Sequence, residues 1–360
     1  MKKIFYTVGT ILGFILLLLL GYIVYLYVDY DRLPDNIALE PKQNSKEKLP
    51  TEQTLRAMTF NIGYGAYTSD YTFFMDGGES ARAKDRKTVL ENMEGIVETT
   101  ENIDPTIAFF QEVDQDGDRS QHVDEVDFLQ KSFAQKSSVY GQNYDSSYLF
   151  YPFLEPIGQA TSGLVTLSQS NILQATRYSL PIETNFNKFF DLDRAFTVSR
   201  IPVENQKELL AINVHLSAYT KDPVVQEQQM QKLFDIMETE YQKDNYVIVG
   251  GDYNHDLLGN SPEIFATTEN RHSWDQPFPE ESLPENFHIP KDNLAEEKVP
   301  STRKLDTPYE KGSSYVSLLD GFILSDNLTV EAVEVEDEEF INSDHNPVWL
   351  DFQLADKTND

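Results

Sequence analysis

The sequence predicts an α/β fold, a layered sandwich with mixed β-sheets, preceded by a single membrane-spanning helix. Three observations carry that expectation. Short apolar runs with alternating side chains recur along residues 55–354, two helix-period stripes fall between those runs, and an uncharged stretch stands at the N-terminus. Strands interleaved with helices along one chain call for sheets covered by helices, because each element must bury one apolar face.

The N-terminal stretch runs from Ile4 to Val28 without a charge, long enough as a helix to cross the ~30 Å hydrocarbon core of a bilayer with some tilt. Lys2 and Lys3 precede it, Asp29 and Asp31 follow, and Tyr22, Tyr25 and Tyr27 stand where an interfacial aromatic belt belongs. This asymmetry places the N-terminus inside and the bulk of the chain outside, as in a bacterial surface protein. A cleaved signal peptide is the competing reading. The apolar core exceeds the usual h-region and no small-x-small site follows Leu20, so residues 1–28 read as a cytoplasmic tip and an uncleaved signal anchor. Residues 29–54, with Pro34, Pro41, Pro50 and scattered charge, read as a tether.

Strands are expected at 55–62, 106–113, 163–169, 194–203, 209–217, 246–253, 315–325 and 346–354, where period-2 alternation or short apolar runs are bounded by turn residues. One helix carries Val89, Met93, Ile96 and Val97 on a single stripe; a second follows Pro223, with Met230, Phe234, Met237 and Tyr241. These stripes read as core packing. Residues 270–313 are proline-rich and aperiodic, yet Trp274, Phe278, Phe287 and Tyr309 mark a packed excursion near the site. Residues 355–360 form a short tail.

At 360 residues, 40% hydrophobic and 25% charged, the chain has room for one large domain or two ordinary ones. Its formal net charge of −31, from 60 acidic and 29 basic residues, disfavours tight nonspecific binding of polyanions. With no cysteine, disulfides, thiolate nucleophiles and cysteine-type zinc sites are all excluded.

Polar residues interrupt the apolar runs at recurring places. Asn61 closes MTFNIG, Glu112 closes AFFQEV, His215 closes AINVHL, Asp252 and Asn254 close VIVGGDYN, and Asp344 with His345 opens the last strand. A single carboxylate at a strand end is more often a cap or a solvated residue. Recurrence shifts the balance, because loops at sheet ends are where rigid scaffolds present chemistry. In an extended segment, side chains two apart face the same way, so Asp252 and Asn254 are expected to point together while Tyr253 packs inward. Gly250 and Gly251 are expected to allow close approach of backbone or substrate.

In order, TFNIG, QEVD, NVHLS, GGDYNHD, LLDGFILS and SDHNPV resemble the signature set of the endonuclease/exonuclease/phosphatase superfamily, the DNase I-like metal-dependent phosphoesterases. The resemblance implies a four-layered α/β sandwich with its site at the mouth between two packed sheets, within a catalytic domain at 55–354. It implies that Asn61, Glu112 and Asp344 hold a divalent cation. Oxygen donors suit Mg²⁺, and Mn²⁺ or Ca²⁺ fit the same set. It further implies catalytic roles for His215, Asp252, Asn254, Asp320 and His345: His215 and His345 on phosphate oxygens, and Asp320 fixing the tautomer of His345. Either Asp252 or the His345–Asp320 pair would be the base for a water attacking in line.

Several positions depart from that pattern or add to it. Ile62 and Gly63 follow Asn61 without the acidic residue of some DNA-repair members, which argues against an abasic-site enzyme. His255 is an extra imidazole with packing as its ordinary role. Residues 63–87 either wall the site or fold onto the body. Arg119, Arg194 and Arg303 are candidate phosphate contacts, weighed against structural ion pairing. The resulting expectation is a metal-dependent phosphodiester hydrolase at the outer face of the cytoplasmic membrane, most simply nuclease-like. A sphingomyelinase-like or phosphoinositide phosphatase-like enzyme and a catalytically silent scaffold are the alternatives. The partners expected are a phosphodiester substrate, nucleic acid or lipid headgroup, and the membrane through the N-terminal helix; no protein partner is signalled.

Overall fold

The computed structural model describes residues 2–42, 45–218, 222–267, 271–272 and 274–355; of the 355–360 tail, all but Ala355 lies outside them. Helix α1 (Lys2–Asp29) is long and apolar enough to cross a membrane. Beyond it, the apolar runs pair into two sheets. The seven-stranded sheet takes the order β1 (Ile37–Leu39), β6 (Gln174–Ser179), β7 (Ala195–Pro202), β8 (Glu208–His215), β9 (Tyr246–Asp252), β11 (Asp320–Ser325) and β10 (Phe287–His288). The six-stranded sheet takes the order β12 (Leu328–Val335), β13 (Val348–Leu354), β2 (Leu55–Asn61), β3 (Ile107–Gly117), β5 (Ala160–Ser168) and β4 (Ser137–Asp145). Both are mixed: β2 runs parallel to β3 and β8 to β9, while the other pairs are antiparallel.

Alternation in β3 shows how the layers arise. Ile107 and Phe109 face the other sheet, where they join Ile212 and Val249, while Ala108 and Phe110 face α2 (Arg86–Ile103) and α3 (Glu125–Ser132). On the far side, α4 (Pro223–Tyr241) buries Met230, Leu233, Phe234 and Met237 against the seven-stranded sheet. The result is helix, sheet, sheet, helix, and each large apolar side chain so buried contributes about 1.5–3 kcal/mol. The helices start where the sequence offers caps: Asp85 accepts from Thr88 N at 2.8 Å, and Asp222 accepts from Val224 N at 3.0 Å just before Pro223. Gly250 lets the sheets close, since a Cβ there would stand 2.4 Å from the Phe109 ring; the close approach expected of this glycine is made by the packing layer rather than by substrate.

The expected strands all form, though 315–325 divides into a two-residue strand, Val316–Ser317, and β11. The described residues of 29–54 do not run free as a tether. Ile37–Leu39 adds an edge strand to β6, Lys42 bridges Ser138, and Leu49 is fully buried beside Val203. Arg32 donates to the carbonyls of Leu180 and Asp193, and Asp35 accepts from Ser179 N and Lys232. Sparse apolar residues in a polar stretch suffice when a sheet edge offers backbone partners. Residues 63–87 both fold onto the body and wall the site: Tyr64, Tyr67, Tyr71 and Phe73 are buried in the layer that holds α2, and Tyr64, Tyr67, Phe74 and Met75 border the cavity at the site.

Candidate active site

Register places the site. Across the seven-stranded sheet, His215 pairs with Asp252 and Asp252 with Asp320, so three strand tips stand in one lateral row at the ~4.8 Å spacing of neighbouring strands. From the facing sheet, Asn61 at the tip of β2 donates its amide to Asp252 Oδ2 at 3.0 Å. That oxygen is the centre of the arrangement: His215 Nε2 lies 3.6 Å from it and His345 Nε2 3.9 Å. His215 Nε2 also faces Glu112 Oε1 at 3.8 Å.

Glu112 reaches this centre through an irregularity. The β3–β5 register shifts between Phe110 and Val113, and Glu112 has φ +56°, a left-handed conformation that costs a non-glycine residue of order 1 kcal/mol or more. A bulge re-aims a side chain that regular pleating would leave beside its neighbours. Gly63 serves the same corner. At φ +53° its N–H donates to Asn61 Oδ1 at 3.0 Å, and a Cβ would come within 2.7 Å of Asp344 Oδ1. Ser343 Oγ donates to Asn61 O at 2.8 Å, tying the SDH turn to β2.

His345 Nδ1 donates to Asp320 Oδ2 at 2.7 Å, and both groups are buried. That bond turns Nε2 toward the cleft, where Thr302 Oγ1 lies 3.2 Å away. Thr302 and Ser301, whose hydroxyl accepts from the backbone N–H of Leu319 and Asp320, had no signal in the sequence, being bare hydroxyls in an aperiodic loop. Asn254 lines the cleft beside Asp252 by another route than alternation. β9 stops at Asp252, Asn254 takes φ +48°, its N–H donates to Asp252 Oδ1, and its amide donates to Leu216 O. A side-chain turn has replaced the extended backbone there. Tyr253 is buried, with its hydroxyl on Val249 O. His255 is a packing residue: Nδ1 meets Tyr253 O and the ring stands edge-on to Phe278.

Electrostatically the cleft holds more negative charge than the protein neutralises. Burial, then Asp344 beside it, pushes the Glu112 carboxyl up to about 8 against the pull of His345 and Arg119. Burial also raises Asp252, Asp344 and, to about 6, Asp320. Burial opposes the charge on His345, but Asp320, Asp344 and Asp252 outweigh it and hold the ring's affinity for a proton well above normal. His215 is the reverse case: burial, then Arg194, keeps it neutral. Its Nδ1 is buried without a partner among the described residues. An unmet lone pair costs less than an unmet N–H, so the proton sits on Nε2, toward Glu112 and Asp252.

These properties fit a hard divalent cation. Glu112, Asp344 and the second lone pair of Asn61 Oδ1 are oxygen donors at one corner, and a cation there relieves the repulsion that raises Glu112. Asp252, Asp320 and His345 also lie together, with candidate ligand atoms within 4.8 Å of one another, but His345 Nδ1 and Asp320 Oδ2 are committed to each other. The three arginines all border the cleft and are all engaged. Arg119 pairs with Asp114 at 2.9 Å and stacks on Tyr64. Arg194 holds Leu216 O and Asp191, and Arg303 holds four backbone carbonyls, of Lys304, Thr307, Thr68 and Tyr71. Their charges still act on the site, Arg119 on Glu112, Arg194 on Asp252 and Arg303 on Asp344.

The cleft opens into a cavity of about 1730 Å³ whose floor includes Glu112, His215, Asp252, Asn254, Asp344 and His345. A model of the Endonuclease/Exonuclease/phosphatase family matches residues 58–345. No curated protein matches the chain by sequence. Among solved structures, an endonuclease/exonuclease/phosphatase from Beutenbergia cavernae DSM 12333 is 15% identical with a TM-score of 0.58, over 84% of this chain and 72% of that one. The human Nocturnin catalytic domain with bound sulfate anion is 18% identical (TM-score 0.51; 88% and 98% covered). D. rerio TDP2 complexed with a single strand DNA product is 13% identical (TM-score 0.51; 84% and 100% covered). At these identities the likenesses show the fold.

Proposed function

The chain belongs to the Endonuclease/Exonuclease/phosphatase family, metal-dependent enzymes that hydrolyse phosphoric esters, and from that premise we propose a phosphodiester hydrolase tethered to the membrane by α1. The observation that carries this reading is the convergence on Asp252 Oδ2 of Asn61, His215 and His345, from three distant parts of the chain. Asn61, Glu112 and Asp344 would hold a divalent cation, Mg²⁺ by its preference for oxygen, whose chemistry when bound is to withdraw charge from a phosphoryl oxygen. His215, neutral with its proton on Nε2, donates to a nonbridging oxygen. His345, oriented by Asp320, donates from Nε2 to the charge that develops there. Asp252 and Asn254 orient the attacking water, and Asp252 is the proton acceptor in the centre of the row. Arg119, Arg194 and Arg303 act as fixed positive charges behind the site rather than as direct ligands.

Lys2 and Lys3 before α1, and Asp29 and Asp31 after it, support a topology with the catalytic domain outside the cytoplasm; protease added to intact cells should then release it. The site itself is tested with a bis-aryl phosphodiester and Mg²⁺. Asp252→Ala and His345→Ala should fold and lose turnover, and chelation should abolish the activity of the unmodified chain until Mg²⁺ is restored. Unchanged rates in both variants would overturn the assignment.

A further inference from the structure

The cavity above the catalytic floor has an unexpected wall. Ile15, Leu17, Leu18 and Leu19 of α1 border the same cavity as Asp252 and His345. The helix is not loosely attached: Tyr22 OH donates to Tyr148 O, Tyr25 OH accepts from Tyr148 N, Tyr22 packs edge-on to Phe150, and Tyr27 packs edge-on to Phe189. Beside this junction the domain exposes apolar side chains that a water-facing surface has no use for, Phe153 at 82% and Leu154 fully, with Phe150, Tyr151, Met75 and Phe190 about half exposed.

Length arithmetic sets the level of this rim. From Ile4 to Leu20 the helix rises about 26 Å at ~1.5 Å per residue, short of the ~30 Å hydrocarbon thickness. The shortfall falls on residues just beyond Leu20, where Tyr22 and Tyr25 meet the 148–154 loop. If α1 spans the bilayer, the rim therefore lies at the lipid surface, and the leucines flanking the mouth lie within it.

We infer that the cleft opens onto the bilayer and takes a phosphodiester lipid, with the headgroup phosphate on the catalytic floor and the acyl chains left along α1. The inference rests on the phosphodiester reading of the site and on α1 as a membrane span. Water forms a bond to phosphorus, one ester P–O bond breaks, and the departing oxygen takes the proton that the water gave to Asp252, leaving one alcohol and one phosphomonoester. A net charge of −31 selects against anionic surfaces and polynucleotides, so the lipid is zwitterionic.

The test uses the full chain in phosphatidylcholine nanodiscs with Mg²⁺, offered the bilayer lipid, a single-stranded oligonucleotide and a soluble bis-aryl phosphodiester. Lipid turnover should exceed oligonucleotide turnover at least tenfold. Phe153→Asp combined with Leu154→Asp should lower the ratio of lipid to bis-aryl rates at least tenfold. Independently of activity, a Phe153→Trp variant should be quenched by brominated acyl chains. Preference for the oligonucleotide, an unchanged ratio or absence of quenching would overturn the inference while leaving the site intact. Failure of the unmodified chain to cleave the bis-aryl diester would overturn the site reading, and this inference with it.

Discussion

Replacing Asp320 by Asn isolates the contribution of a residue that never meets the substrate. Asp320 is fully buried at the start of β11, and its Oδ2 accepts from His345 Nδ1 at 2.7 Å. A charge-assisted hydrogen bond of this kind contributes about 1.5–3 kcal/mol. The amide removes the charge that favours the imidazolium and leaves a neutral ring whose Nε2–H is a weaker donor to the developing charge. Losing a contribution of that size should lower kcat about 10- to 150-fold, at about 1.4 kcal/mol for each factor of ten. KM should change less than about threefold, because an interaction made mainly in the transition state affects kcat rather than ground-state binding. Asp320 does not border the cavity. The fold should survive, since burial already disfavours this carboxylate's charge and raises it to about 6. Steady-state kinetics on the bis-aryl diester, with a thermal melt as control, decide the matter. A kcat within threefold of the parent, or a raised KM at unchanged kcat, would refute the positioning role.

Other perturbations probe separate parts of the molecule. Glu112→Gln should weaken Mg²⁺ binding, measured by calorimetry, about tenfold or more, while a metal-free melt should hold or rise, because the substitution removes the repulsion with Asp344; unaltered Mg²⁺ affinity would remove Glu112 from the ligand set. Burial alone would raise Glu240, but hydrogen bonds from Arg200, Lys243 and Asn245 hold it down at about 2. Its stabilisation is therefore complete above the unfolded value of about 4.3 and lost as pH falls toward 2, about 1–2 kcal/mol after solvent screening. Urea titrations of Glu240→Gln should show a flatter acid limb, and an unchanged limb would refute the linkage. Asn213→Ala should cost about 2–4 kcal/mol in urea unfolding, since Asn213 accepts from Gln111 at 2.8 Å and donates to Phe110 O and Val165 O between the sheets; a cost below 0.5 kcal/mol (about the scatter of surface substitutions) would show that the polar seam is dispensable.

The strands that carry chemistry were legible because their burial leaves an unmistakable apolar run ending in a polar residue, as in MTFN, INVH and VIVGGD. Strands β4 and β6 lacked that mark. Their inward positions include Ser137 and the buried Arg177, whose guanidinium reaches Gln142 O and Pro34 O, so polar groups that find backbone partners in the fold read as loop in the sequence. β12 alternates, but LTVEAVEV stands beside a run of acids, and only its pairing with β13 turns Leu328, Val333 and Val335 into the core.

Within the site, residue types and order were readable while conformation was not. Nothing local announces that Glu112 will take φ +56° at a bulge, or that Asn254 will enter the cleft through a left-handed turn rather than along the strand. Both depend on partners supplied from elsewhere, β5 for the first and Leu216 for the second. Helix α1 is long and apolar enough to cross a membrane, but its place beside the site comes from the tyrosines at its end, which meet the 148–154 loop and bring a leucine face to the mouth of the cavity. An anchor attached by a free tether would act on substrate only by raising local concentration. On the proposal that α1 spans the bilayer, docking through Tyr22, Tyr25 and Arg32 would hold the mouth at a set height over it, so substitutions at that junction should change the ratio of lipid to soluble-diester turnover rather than the chemical step they share.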